Sequence, residues 1–317
     1  MRTILSIILK RLLVGCMTLF VVTIIIFGAI EMLPGDIATE VLGQAATEES
    51  LNAFREKYDL NRSLPARYLS WLGGAVTGDF GISLANQRPI SELIGQRAAN
   101  TFFLAGYAAA IAVPIAVVSG MLAALYNGSV FDRMLSSSTL AAISFPEFFI
   151  AYILILIFSV ALGWFPSLAN VDPGTGLGER LYLTFLPAMT LTLIVLAYMM
   201  RMTRAAILNL LALPYIEMAH LKGMKRWRVI AVHALPNALA PIINVIALNL
   251  AYLIVGVVLV EVVFAWPGLG NLVFSAVQAR DYPLIQGAIL LIAVIFLVVN
   301  FLVDVLYAVV DPRIRLS

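Results

Sequence analysis

Six stretches of this sequence are too long and too apolar to form the interior of a water-soluble domain. Leu12–Ile30 is uncharged between Arg11 and Glu31, and Ala98–Phe131 is uncharged between Arg97 and Asp132. A third run starts near Met134, is broken once by Glu147 and continues to about Gly163. The others are Leu181–Met200, Ala234–Val260 and Tyr282–Val303. A hydrocarbon layer about 30 Å thick is crossed by ~20 helical residues at about 1.5 Å each, and every run meets that length. Lipid offers no partner for a bare amide or carbonyl, so a spanning segment of this kind must be helical. The alternating pattern of membrane barrel strands is absent. With 62% hydrophobic and only 12% charged residues in 317, the chain is expected to be an all-α integral membrane protein of six transmembrane helices.

Basic residues orient it. With the N-terminus inside, the cytoplasmic segments hold Arg2, Lys10, Arg11, Arg133, Arg201, Arg204, Lys222, Lys225, Arg226, Arg228, Arg313 and Arg315, twelve of the twenty Lys and Arg. The two shorter outside loops hold only Arg180 and Arg280, so both termini are expected in the cytoplasm. The first run has 19 uncharged residues, longer than the ~7–15 of a signal-peptide core, and is read as a retained helix. Cys16 is the only cysteine, which rules out an intramolecular disulfide. The net charge of +2 follows from the topology and gives no reason to invoke nucleic acid; the partner that composition implies is the bilayer.

Spans are placed at about 10–30, 100–125, 136–162, 181–201, 237–260 and 284–306. Residues 1–30 form the N-terminal end and first span, 31–97 an external subdomain, 98–311 the core and 307–317 a cytoplasmic tail. In the subdomain, Thr47 followed by Glu48 and Glu49 predicts a helix start, and Leu51, Phe54 and Tyr58 recur at helical spacing. A second short helix is expected over Pro65–Trp71, and Thr77–Ser83 reads as a turn. Gly163–Arg180 and Phe264–Pro283 are expected to be external loops, with Trp266 and Tyr282 at the membrane interface.

The segment EMAHLKGMKRWRVIAVHALP, Glu217–Pro236, interrupts the apolar pattern inside the cytoplasmic loop 205–236. Met218, Leu221, Met224, Trp227 and Ile230 recur every third residue and form one ridge, while Lys222, Lys225, Arg226 and Arg228 form a basic face. Gly223 permits a bend and Pro236 starts a new helix. Positive charge alone could serve only to orient the chain, but that leaves Glu217, Gly223 and Leu235-Pro236 unexplained.

Those residues carry a resemblance. Glu217, Met218, Ala219, Gly223, His233, Leu235 and Pro236 stand at the spacing of the cytoplasmic loop signature of ABC importer permeases. Met218 replaces the family's usual Ala, and His233 an aliphatic residue. LPGD (Leu33–Asp36), GDFGIS (Gly78–Ser83), VFAWPGLG (Val263–Gly270), RDYP (Arg280–Pro283) and VDVLYAVVDPRIR (Val303–Arg315) are similar to the dipeptide/oligopeptide/nickel branch. The resemblance implies a type I ABC importer permease fold in a bacterial-type inner membrane. It also implies a second homologous permease, two cytoplasmic ABC ATPases and an external solute-binding protein. The loop then couples ATPase closure to the membrane helices. ATP and Mg would sit in the partner ATPases, since the chain has no G-x-x-x-x-G-K-[ST] loop and no Gly-Lys pair, and no cofactor is expected on it. Two histidines and one cysteine supply no conventional zinc site. The branch handles dipeptides, oligopeptides, nickel complexes, glutathione and opine-like conjugates.

Within the spans, Glu147 must face protein or water, because a carboxylate at that depth costs roughly 2.5–3.5 kcal/mol. Either it lines the pathway or it accepts structural hydrogen bonds. Glu261 and Asp304 end their spans and are expected at the interface, Glu261 with a possible pathway or interhelix role. Asn244, Asn249 and Asn300 are expected to bond between helices. An ion-coupled secondary transporter is the alternative function, disfavoured by so few central charges. An intramembrane enzyme lacks a nucleophile or metal cluster here.

Overall fold

A computed structural model describes residues 2–32, 35–43, 45–172 and 174–310; the 311–317 tail, with Arg313 and Arg315, and Leu33-Pro34 of LPGD lie outside the described residues. The described chain is nearly all helix. It opens with α1 (Arg2–Glu31), three short helices α2 (Ile37–Leu42), α3 (Glu48–Lys57) and α4 (Leu64–Thr77), and the long α5 (Ile90–Leu125). Then come α6 (Val130–Ser144), α7 (Glu147–Leu154, continued by a π-helical segment Ile155–Ala161), α8 (Leu177–Leu183) and α9 (Phe185–Leu211). The remainder is α10 (Pro214–Leu221), α11 (Arg226–Arg228, continued by a π-helical segment Val229–Ala234), α12 (Leu235–Val255), α13 (Val258–Val263), α14 (Leu269–Gln278) and α15 (Tyr282–Val310).

Five helical stretches, Ile8–Glu31, Ile90–Leu125, Phe185–Leu211, Val229–Ile254 and Tyr282–Val305, are long and apolar enough to cross a membrane. The sixth span is not one continuous helix. α6 and α7 meet at 106°, because Phe145 and Pro146 adopt extended backbone between them and the proline ring cannot continue a helix. The uncharged run Ala98–Phe131 is also divided: α5 ends at Leu125, and Ser129 accepts from the Asp132 amide at 3.2 Å to start α6.

α5 and α9 form the centre. Ala105, Ala108, Ala112 and Ala116 of α5 pack in one core with Leu186, Leu191, Val195 and Met199 of α9 and with Leu253, Val257 and Val260. Small residues let helix backbones approach where lipid supplies no hydrophobic drive. At Gly120 the approach is closest: a Cβ there would lie 2.8 Å from the Met200 carbonyl oxygen and the Thr203 Cβ.

The subdomain starts as its sequence signals. Thr47 Oγ1 accepts from the Ser50 amide at 3.3 Å, Leu51 is buried, and the Phe54 and Tyr58 rings lie 4.5 Å apart. Asp36 caps α2, and the Arg55 guanidinium 2.9 Å away, helped by Thr39, holds its carboxyl below the usual carboxylate range. Arg67 of α4 pairs with Glu31 at the end of α1 at 2.7 Å, both largely shielded. Two sequence motifs then meet, joined by residues 198 apart in the chain. Asp281 is fully buried and accepts from the Ser83 hydroxyl, from the amides of Leu84 at 3.1 Å and Ala85 at 3.3 Å, and from the Leu284 amide at the start of α15. The subdomain's last turn is thereby tied to the first turn of the last span.

Candidate functional site

The segment between α9 and α12 lies at the end of the bundle opposite that subdomain. Its inner face is aliphatic: Ile216, Ala219, Val229, Ile230 and Ala234 pack with Ala124 of α5, Ile207 of α9 and Ile242 of α12. That face differs from the ridge expected at every third residue. Met218 (54%), Leu221 (75%) and Trp227 (58%) are exposed, Met224 is half-buried and Ile230 alone of the five is fully buried. The reason is the break at Gly223. Its φ of +77° is a left-handed conformation that ends α10, with the Met224 amide returning to the Ala219 carbonyl at 3.2 Å. The ridge therefore turns with the chain instead of continuing along one helix. An added Cβ at Gly223 would meet nothing within 4 Å, so its requirement is conformational, not steric.

Tyr215, Met218, Leu221 and Trp227 form the outer apolar surface, and exposed Lys222, Lys225 and Arg228 accompany it. The Glu217 and Arg226 side chains lie outside the described residues. His233 is half-buried and its carbonyl accepts from Asn237 at 2.7 Å; Leu235 packs on the inner cluster and Pro236 stands in the first turn of α12. Below the segment an ion pair between a buried carboxylate and a partly exposed guanidinium fixes α9, an arrangement not anticipated from sequence. Asp132 (3% exposed) takes Arg204 Nε at 2.7 Å and Nη2 at 2.8 Å, and also the Gly128 amide at 2.9 Å, while Arg204 reaches Asn127 at 2.9 Å. Arg204, one of the basic residues counted for orientation, and Asp132, which bounds an uncharged run, thus form a bidentate clamp between α6 and α9.

Glu261 corrects a second expectation. It is not interfacial but fully buried, and it caps α14. Its Oε2 accepts from the Gly270 amide at 2.7 Å and the Asn271 amide at 3.2 Å. Its Oε1 accepts from the Thr101 hydroxyl at 2.6 Å, and Thr101 Oγ1 in turn accepts from the Leu269 amide at 2.8 Å. The first three amides of α14 are thus all satisfied, two by a carboxylate suited to a helix N-terminus. Gly268 and Gly270 make room: a Cβ on Gly268 would overlap the Glu261 carboxylate, and one on Gly270 would lie 2.5 Å from Val258 Cα. The Phe264–Pro283 stretch, expected as a loop, consequently contains a ten-residue helix. Trp266 does not face an interface. It is fully buried, its ring 6.2 Å from Phe103 and its Nε1 donating to the Asn100 carbonyl at 3.2 Å, with the Arg180 guanidinium over both rings. Tyr282 is likewise buried.

Glu147, half-buried at the first turn of α7, accepts from the Tyr252 hydroxyl of α12 and so bridges the bent span to the fifth. The amides depart from expectation: Asn249 and Asn300 donate to carbonyls four residues earlier in their own helices, both at 2.8 Å, not across helices. Asn244 is half-buried on α12. Asp304, at the end of its span as expected, pairs with Arg11 at 3.2 Å. No cluster of three or more His, Cys, Asp or Glu suited to a metal occurs among the described residues.

Comparison with known proteins accounts for this architecture. Residues 116–316 match the family model of the binding-protein-dependent transport system inner membrane component, and residues 4–105 match the model of its N-terminal region. The chain is 36% identical over 311 residues to the glutathione transport system permease protein GsiC of Escherichia coli (strain K12), covering 98% of this chain and 99% of that one. It is also 36% identical over 308 residues to the probable peptide ABC transporter permease protein y4tP of Sinorhizobium fredii, covering 97% and 98%. A solved structure of the MetNI methionine ABC transporter in an inward-facing conformation is similar in fold, with a TM-score of 0.52 at 19% identity over 67% of this chain and 92% of that one. The chain belongs to the binding-protein-dependent transport system inner membrane components, as a multi-pass permease of an ABC importer.

Proposed function

We propose that this permease forms half of the pathway for a peptide-like solute or glutathione, and that residues 214–236 seat on a cytoplasmic ATPase. The solute class follows from the relatives' transport of glutathione and, by their description, peptides. A homologous second permease completes the pathway, an external binding protein delivers the solute, and two ATPases hold ATP and Mg. The single observation that carries the coupling role is the two-sided build of the segment. Its inner face is sealed to α5, α9 and α12, while Tyr215, Met218, Leu221 and Trp227 stand exposed at the chain's polar end. A rigid inner face transmits displacement, and an exposed apolar patch with a basic margin suits a protein partner better than water. ATP binding can bias the permease only as far as contacts in this patch differ between its states.

The test is the reconstituted importer with Met218→Asp, Leu221→Asp and Glu217→Ala variants. Solute uptake and solute-stimulated ATP hydrolysis should fall together by tenfold or more, with membrane insertion unchanged. Normal uptake by all three stably inserted variants refutes the coupling role. Uptake driven by an ion gradient without ATP would favour a secondary transporter instead.

A further inference from the structure

A groove of about 290 Å³ runs between α1 and α15, lined by Leu12, Gly15, Cys16 and Leu19 on one side and by Val294 and Leu297 on the other. It is mostly apolar, Thr18 and Asn300 in its lining donating to carbonyls of their own helices, and its charges are confined to one mouth, where Arg11 and Asp304 lie 3.2 Å apart with side chains 58% and 31% exposed. Arg11 directly precedes the uncharged run Leu12–Ile30, and Asp304 directly follows the uncharged run Tyr282–Val303. Both charges are therefore at the depth where hydrocarbon gives way to headgroups. From that mouth the lining extends to Leu19 on α1 and Val294 on α15. At about 1.5 Å per residue, this is ~12 Å and ~15 Å, close to half of a hydrocarbon core about 30 Å thick. The groove thus has the length of one leaflet and a charge of each sign at its headgroup end.

We propose that this groove binds an aminophospholipid of phosphatidylethanolamine type, phosphate on Arg11, ammonium on Asp304 and one acyl chain lying along Gly15 and Leu19. A guanidinium fork suits a phosphate, and its five donors exceed what one partly exposed carboxylate uses. Asp304 supplies the discrimination. A primary ammonium donates hydrogen bonds to it, a quaternary choline ammonium cannot, and a glycerol headgroup leaves the carboxylate facing an uncompensated anionic lipid. Gly15 keeps the floor open, since a Cβ there would meet nothing within 4 Å and a larger side chain would project into the chain's place.

The assembled importer, reconstituted in nanodiscs with equal phosphatidylethanolamine, phosphatidylcholine and phosphatidylglycerol of identical acyl chains, is transferred to mild detergent and its retained lipid counted by native mass spectrometry. Phosphatidylethanolamine should be enriched several-fold over either competitor. Asp304→Asn should abolish the preference over phosphatidylcholine, Arg11→Gln should lower retention of every phospholipid, and Gly15→Leu should empty the site whatever the headgroup. Arg133→Gln, a basic residue outside the groove, should leave the preference intact. Equal retention of the three lipids by the unaltered complex overturns the proposal without recourse to any variant. So does a preference that survives Asp304→Asn, or an absence of retained lipid, the outcome expected if another protein segment fills the groove.

Discussion

Glu261 shows how one residue can organise a region that sequence alone misreads. Its carboxylate, itself fully buried, accepts from buried Thr101 and from two amides of α14. Glu261→Ala leaves these donors without an acceptor, at about 1–3 kcal/mol for each buried group left unpaired. The thermal midpoint of the purified protein should drop clearly, and less for Glu261→Gln, which keeps the volume and one oxygen; an unchanged midpoint for Glu261→Ala would show that α14 is held by other contacts. Gly268→Ala should be comparably harmful because its Cβ overlaps that carboxylate, and its cost should shrink in a Glu261→Ala background. The double-mutant cycle measures that relief directly; additive effects would contradict the overlap. Little of this was legible in the sequence. A glutamate at the end of an apolar run is ordinarily an interfacial charge, and only the fold brings Thr101 beside it from 160 residues away. Asp132 and Arg204 were obscured in the same way: Arg204 taken alone is one more orienting basic residue, Asp132 only the charge that ends an uncharged run, and their bidentate pairing depends on the crossing of α6 with α9.

At the scale of elements, legibility followed locality. Long apolar runs announce spans because length and composition suffice, and Thr47 announces α3 because its cap is three residues away. α14 was hidden because WPGLG is turn-like in isolation and its cap lies nine or ten residues upstream at Glu261. The proline at 146 was visible as a helix breaker, but the 106° turn it permits is set by how α7 packs on α9 and α13, which no local signal encodes. The 214–236 segment was legible as a motif, whereas its inner and outer faces were not, because the chain reverses at Gly223 between two short helices. That glycine gives a sharp prediction. Space around it is open, so the penalty of a side chain is the left-handed backbone, about 1–2 kcal/mol for an ordinary L-residue and less for Asn. Gly223→Asn should therefore retain most solute-stimulated ATP hydrolysis, while β-branched Gly223→Val should lose most of it. Equal activity of the two variants at equal membrane abundance would mean that the conformation of this turn is not what couples.

For the whole molecule, the coupling reading requires the 214–236 segment and the 31–97 subdomain to face opposite sides of the membrane, with the segment inside. The helices alone fix their separation: α5 and α9 run between them, and Asp281 anchors the subdomain to the far end of α15. Direction comes from charge. Lys222, Lys225, Arg226 and Arg228 all lie in the short connection between α9 and α12, where basic residues resist translocation, against Arg180 and Arg280 in the two short connections at the other end. The single native thiol makes this testable, since Cys16→Ser gives a cysteine-free chain. Lys225→Cys in that background should resist a membrane-impermeant maleimide in intact spheroplasts and react in inverted vesicles. Glu49→Cys, in the exposed first turn of α3, should show the reverse. Labelling of Lys225→Cys from outside would invert the topology and place the proposed ATPase surface on the side where no ATPase can reach it. Such a result would remove the coupling role while leaving the permease fold untouched.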